Sequence, residues 1–220
     1  RRHATDMAID TLSIRIEHRL HSSQLTKTDL NAIRTHFSEQ KISSLTPFII
    51  RKTDVRHTEQ TYTTTVIATD HTAPITRNFH VQKGQYFTRD DVTNKRQVCV
   101  VESSISKKLF GTQNPCGKQI LLHIDDKMLQ FKIIGLMEEL PEDRVLSDDY
   151  GFRRNRRLEM VHKLKFMTGI AQPQTDWKRN QTAFHIPLSL MAEPFTYDWI
   201  IAKADPDKLQ EIAAETQQIM

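Results

Sequence analysis

The chain has 220 residues, 38% apolar and 26% charged, enough to bury a core and too apolar for wholesale disorder. Its formal charge of +4 is a mild basic excess with one dense run, Arg153, Arg154, Arg156 and Arg157, which falls short of the clustered, aromatic-laced face of a nucleic-acid binder. No run approaches the roughly 20 apolar residues of a membrane helix, and no signal-peptide pattern opens the chain.

Residue 1 is arginine, so the sequence reads as an excised piece of a longer protein. Leu12, Ile14 and Ile16 alternate with polar neighbours, which predicts a half-buried strand. "LTKTDLNAIRTHF" predicts a helix: Thr26 as N-cap, Asp29 in capping-box position, Leu25 and Leu30 as a hydrophobic staple, then Leu30, Ile33 and Phe37 at helical spacing. "KISSLTPFIIRKTDVRH" reads as extended chain interrupted by Pro47, and "TYTTTVIATD" as a strand. A turn-rich stretch with Pro74 and Gly84 follows. "QVCVV" reads as a buried strand and "ESSISKKLFG" as a short helix stopped at Gly111. Ile120, Leu122 and Ile124, then Leu129, Phe131 and Ile133, alternate around Asp125-Asp126-Lys127, a hairpin whose turn lacks glycine. Leu158, Val161, Leu164 and Met167 outline a helical stripe. "AFHIPLSL" and "TYDWIIAKA" read as strands, and Asp205-Pro206-Asp207 starts a final helix carrying Leu209, Ile212, Ala213 and Ile219 on one face.

The search for chemistry is negative. Gly111 and Gly117-Lys118 suggest a phosphate loop, but five residues separate the glycines and Gln119 follows the lysine, so the magnesium-binding hydroxyl is missing. The order of elements, helix then loop then strand, is also the reverse of a phosphate loop. His18 and His21 have no acid or cysteine at zinc spacing. There is no HExxH or GxSxG, and the six glycines are too dispersed for a dinucleotide loop. Cys99 and Cys116 form no metal set; they either bridge in an oxidising compartment or act as small hydrophobes. No catalytic, cofactor or metal residue is nominated.

An ordered series carries more. "GQYFTRDDV", "QVCVVESSISKKLFGTQNPCGKQILL" and "FKIIGLMEEL" resemble the extracytoplasmic core domain of MacB-like or FtsX-like ABC transporter permeases. The family's glycine-aromatic-aspartate segment is matched by Gly84, Phe87 and Asp90, and its valine-rich strand by Val98, Val100 and Val101. Its helix end and turn are matched by Leu109, Phe110, Gly111, Pro115, Gly117 and Lys118, and its hairpin close by Ile133, Ile134 and Gly135. "LTKTDLNAIR", "SSLTPFI", "FHIPLSL" with Pro187, and "WIIAKADPDKLQEIAAETQQIM" are similar to the flanking elements. Cys99 and Cys116 depart from the pattern, and a segment from about 143 to 180 has no counterpart in it.

The resemblance implies an α+β fold of two lobes. A porter-like lobe would comprise 1–80 plus 187–220, and an inserted smaller lobe 81–186. It implies a non-catalytic domain on the extracytoplasmic, periplasmic side of the bacterial inner membrane, in a membrane-embedded parent. The implied partners are a cognate ABC ATPase and a second permease, with a periplasmic adaptor, lipoprotein or transported substrate beyond them. No cofactor and no nucleic acid are implied. The Arg153, Arg154, Arg156 and Arg157 run is the candidate partner or lipid contact. The alternative function is a soluble extracytoplasmic binding or sensory module, distinguished by polar flanks in the full reading frame. A hydrolase assembled only in the fold would need a pocket with convergent ionisable groups.

Overall fold

The computed structural model describes residues 11–14, 25–37, 41–77, 79–138 and 183–219. The basic run at 153–157, the helical stripe at 158–167 and the whole unmatched segment of about 143–180 lie outside these residues.

The elements run in the order β1 (Thr11–Ile14), α1 (Lys27–His36), β2 (Ile42–His57), β3 (Gln60–Thr69), α2 (Ala73–Arg77), β4 (Val81–Gly84), α3 (Arg89–Thr93), β5 (Val98–Val101), α4 (Ser103–Phe110), β6 (Gln119–Ile124), β7 (Lys127–Met137), β8 (Ala183–Pro187), β9 (Trp199–Ala204) and α5 (Leu209–Ile219). Helix α1 begins at the expected capping box. Thr26 Oγ1 accepts the Asp29 amide at 3.4 Å, and Asp29 Oδ2 accepts the Thr26 amide at 2.7 Å. Helix α5 is preceded by a 3-10 turn, Pro206–Lys208, in which Asp205 Oδ1 accepts the Asp207 amide at 3.1 Å.

Among the described residues one mixed sheet contains all nine strands, in the order β1-β9-β2-β3-β8-β5-β7-β4, with β6 pairing both β2 and β7. The double pairing of β6 closes a ring: β2-β3-β8-β5-β7-β6 and back to β2. Long β2 serves two structures. Its first half pairs β9, which also pairs β1, and its second half enters the ring. Strand β4 extends the far end along β7. The sheet is thus continuous across residues 80/81 and 186/187.

Alternation along each strand fills the ring. Val55, Val66, Cys99, Val101, Ile120, Leu122, Phe131, Ile133, Phe184 and Ile186 are buried in one cluster. The same cluster continues under α1 and α5 through Leu30, Ile33, Ile200, Ala202 and Ile212. On the other side of the sheet, Phe48, Ile67, Ala73, Trp199 and Ile201 form a second cluster with Phe79 and Tyr86 packed on it.

Pro47 does not interrupt β2. It pairs with Ile200 on the β9 side, where the Phe48 carbonyl and Ile50 amide also point. By alternation its missing donor faces the β3 side, where pairing stops at Phe48↔Thr69. The Thr69 hydroxyl donates to the Pro47 carbonyl there at 2.8 Å. The β6–β7 turn solves its lack of glycine differently: Asp125 and Asp126 both take positive φ, 45° and 63°, as a two-residue primed turn requires and as aspartate tolerates. Asp125 Oδ2 also accepts the Ala192 amide at 2.7 Å.

Candidate functional site

The motif residues converge on one edge of β7. Strand β6 pairs residues 127–132 of that edge, and β4 pairs residues 135–137. The two strands therefore meet end to end, and three glycines occupy the junction. Gly84 closes β4 at φ 75° opposite Gly135. A Cβ on Gly84 would overlap the Ile134 carbonyl oxygen and reach 3.1 Å from Cys116 Sγ, and a Cβ on Gly135 would overlap the Gln85 carbonyl. Gly117, at φ 90°, donates its amide to Ile133 O at 2.7 Å. Backbone takes the place of side chains here because two strand ends and a turn share one neighbour.

The rest of the series supports this junction. Phe87 is buried with Val100 and Met137. Gly111 ends α4 at φ 60°, its amide donating to Lys107 O at 2.9 Å. Leu109 is half-buried against the main core, and Phe110 belongs to that core. Buried Pro115 offers its carbonyl to the Lys118 amide at 3.1 Å. Lys118 Nζ lies 4.8 Å from the centroid of the Phe110 ring and donates to Gln113 Oε1. Pro187 ends β8, buried opposite Thr69. Asp90 is exposed on α3.

The neighbour of Asp90 is the acid that carries bonds. Asp91 closes a capping box on Thr88, accepting its amide at 2.7 Å and its hydroxyl at 2.8 Å, and takes Arg96 Nη1 at 3.2 Å. Burial pushes the Asp91 carboxyl up, but the Thr88 bonds and Arg96 outweigh it and hold the group below the usual carboxylate range. A depressed folded pKa gives stability above the unfolded value, lost as pH falls through the folded one. Asp91→Asn is therefore expected to cost about 1 kcal/mol near neutral pH. Paired melting curves should show the gap closing below roughly pH 4. The Thr-x-x-Asp spacing at Thr88 was the available signal, on a helix too short to show periodicity.

A second group of polar residues was not expected. His185, buried on β8, shares a hydrogen bond between Nδ1 and the Tyr86 hydroxyl (3.1 Å) and faces Glu102 Oε1 through Nε2 (3.4 Å). Glu102 Oε2 accepts the Ala183 amide at 3.1 Å. Phe79 stands edge-on to the imidazole, centroids 5.4 Å apart. Burial, reinforced by the charges of Asp70 and Glu102, raises the Tyr86 phenol well above its ordinary value. Asp70 ends a hydroxyl chain: Ser44 to Thr76 at 2.5 Å, Thr76 to Thr46 and Thr46 to Thr72 at 2.6 Å, then Thr72 to Asp70. Burial raises the Asp70 pKa against the opposing bonds from Thr72. Glu102 Oε2 and Asp70 Oδ1 both accept bonds from the fold itself, from the Ala183 amide and from the Thr72 amide and hydroxyl.

Both cysteines are free. Cys99 points into the ring and Cys116 Sγ contacts the Lys83 carbonyl at 3.6 Å; burial pushes both thiols up, Cys99 far up. Among the described residues no three His, Cys, Asp or Glu side chains are grouped to hold a metal, and no helix is long and apolar enough to cross a membrane.

Comparison with known proteins agrees with the motif series. The model of the MacB-like periplasmic core domain family matches residues 3–219. A pyoverdine export ATP-binding/permease protein of Pseudomonas aeruginosa is 37% identical over 62 residues, 28% of this chain and 9% of that protein. A macrolide export ATP-binding/permease protein of Chlorobium luteolum is 32% identical over 60 residues, 27% of this chain and 8% of that protein. The matched stretches are thus about a tenth of those relatives' length. The periplasmic region of MacB from Actinobacillus actinomycetemcomitans superposes with a TM-score of 0.63 at 17% identity, covering 96% of this chain and 81% of that one. The extracellular domain of the transporter YknZ from Gram-positive bacteria gives 0.60 at 14% identity, covering 93% and 89%. With its mixed α/β fold, its glycine junction and a family match over nearly its whole length, this chain belongs to the MacB-like periplasmic core domain family.

Proposed function

We propose that the chain is the extracytoplasmic domain of an export-type ABC permease and that it transmits movement of flanking membrane helices to a periplasmic substrate or partner. The observation that carries this reading is the placement of the two ends. β1 and β9 are direct neighbours, with Thr11 opposite Lys203 and Ile14 opposite Ile200. The chain enters β1 and leaves β9 at the same end of the sheet, an arrangement that suits two neighbouring membrane connections. Helix α5 is fixed there by buried Ile212 and by Lys41, whose Nζ meets Glu211 at 2.8 Å and Glu215 at 2.9 Å. A displacement of either end therefore acts on the body of the sheet.

On this reading ATP is bound by a cognate ATPase domain or subunit, as the names of the matched relatives describe for themselves. Two permeases pair, and the partner at the far end is an adaptor, a lipoprotein or the exported compound. The division into a lobe of 1–80 plus 187–220 and a lobe of 81–186 belongs to the same proposal. The test uses the full-length protein in its own membrane, with Cys116→Ser and Met128→Cys. Met128 is 47% exposed at the β6–β7 tip. Labelling by a membrane-impermeant maleimide in intact cells or spheroplasts is expected, and a nitroxide at the same site should report an ATP-dependent change in the distance between copies. Labelling only after lysis overturns the location. A distance indifferent to ATP overturns the transmission role, and recovery of the whole protein in the soluble fraction favours a binding module.

A further inference from the structure

The ring of six strands is unevenly joined. Ten residue pairs link β2 to β3, six link β6 to β7, five link β3 to β8, and four link β5 to β7. Among the described residues, β2 and β6 share two pairs, Val55↔Leu122 and Arg56↔Leu121. β5 and β8 also share two, Val100↔His185 and Val101↔Phe184. Around the ring these thin seams lie opposite one another, with β2, β3 and β8 between them on one side and β5, β7 and β6 on the other. The other strands follow the same division, although bonds of Tyr86 to His185, Ala192 to Asp125 and Ser189 to Val92 also cross it. β1 and β9 extend the first half, and β4 extends the second.

Side chains bolt each seam. At β2/β6 the Thr53 hydroxyl donates to the His123 carbonyl, and the His57 ring meets Phe110 edge-on with centroids 4.6 Å apart. At β5/β8 the Glu102 amide donates to Ala183 O at 3.0 Å while its carboxylate takes the Ala183 amide and faces His185. Each seam thus rests on two ladder pairs and a few side-chain contacts, whereas the long ladders are cooperative units.

We propose that the two seams open together, so that residues 11–77 with 183–219 move as one body against residues 79–138. Both halves contribute to the apolar interior, through Val66 and Phe184 on one side and Phe131 and Ile133 on the other. A movement that keeps this interior dry is a slide along the seams rather than a gape, the small shear of packed layers that proteins use in domain motion. The proposal concerns the isolated fold and stands whether or not the domain serves an exporter.

The test is residue-resolved hydrogen exchange on this chain under native conditions. Amides facing the two seams are expected to share one opening equilibrium and to exchange at least about tenfold faster than the β2/β3 and β6/β7 ladders. An oxidised Arg56→Cys, Leu121→Cys pair in a Cys116→Ser background joins directly opposed residues at a separation a disulfide spans. It is expected to slow exchange at Val100, Val101 and Phe184, on the other side of the ring, and reduction should restore it. Glu102→Ala is expected to speed exchange at both seams. If seam amides exchange only with the whole molecule, the idea is wrong. It is equally wrong if the staple protects residues near 56 and 121 while leaving the β5/β8 seam untouched.

Discussion

Gly84→Ala and Gly135→Ala, made singly, are each expected to lower stability by roughly 3 kcal/mol or more, at the far end of what single substitutions do. Gly84 combines two penalties. Its φ of 75° is a conformation L side chains rarely adopt, and its Cβ would overlap the Ile134 carbonyl oxygen. Gly135 has the second penalty alone, against the Gln85 carbonyl, and that obstacle is backbone. Neither strand can retreat, because the Gln85 amide is bonded to Ile134 O at 3.0 Å and Gly117 to Ile133 O at 2.7 Å. Gly111 and Gly117 provide the contrast. Both have positive φ, but an added Cβ meets nothing within 4 Å, so alanine there is expected to cost only about 1–2 kcal/mol. Urea titrations followed by tryptophan fluorescence, with Trp199 as a buried reporter, will rank the four. Equal losses at Gly84, Gly111 and Gly117 with little loss at Gly135 would show that conformation, not close approach, sets their value.

Phe131→Ala is expected to remove about 3–5 kcal/mol. The ring lies fully buried on β7, paired with Ile120 and surrounded by inward residues of the other ring strands. Six strands converging on a shared interior leave little room for collapse into the void, so the cavity cost adds to the lost transfer energy. Three residues earlier on the same strand, Met128→Ala should stay within about 0.5 kcal/mol because that residue is already 47% exposed at the hairpin tip. The denaturation midpoint should move for Phe131→Ala with an unchanged slope. A changed slope would mean that the native ring itself had loosened.

Local grammar was readable wherever an element was long enough to show its period. The capping box at Thr26, the β6–β7 alternation, the helix stop at Gly111 and the start at Asp205 all depend on residues within a few positions of one another. The stretch from His71 to Arg96 reads as turn-rich because α2 and α3 have five residues each and β4 has four, too few for a period. Pro47 misled for a different reason. Whether a proline breaks a strand depends on which side its missing donor faces, and the position of the end of β3 fixes that. The closure of β6 on β2 and the meeting of Tyr86, Glu102 and His185 join residues 65 to 99 positions apart, which no local pattern encodes. The glycine junction was visible only as a motif resemblance. Its physical reason, two strand ends sharing one edge of β7, appears only when the pairings are known.

The double duty of β2 also has a consequence in time. Its partner over Ile42–Phe48 is β9, which ends at Ala204, and β1 has the same partner. A chain delivered from its N-terminus therefore holds one edge of β2, and the whole of β1, without their final neighbour until β9 has emerged. Pairings this distant in sequence form slowly, and an uncovered strand edge is a template for the wrong chain. Assembly of this domain is thus expected to finish only once β9 is delivered and to be sensitive to crowding by its own nascent copies, with β1, β2 and β9 locking last.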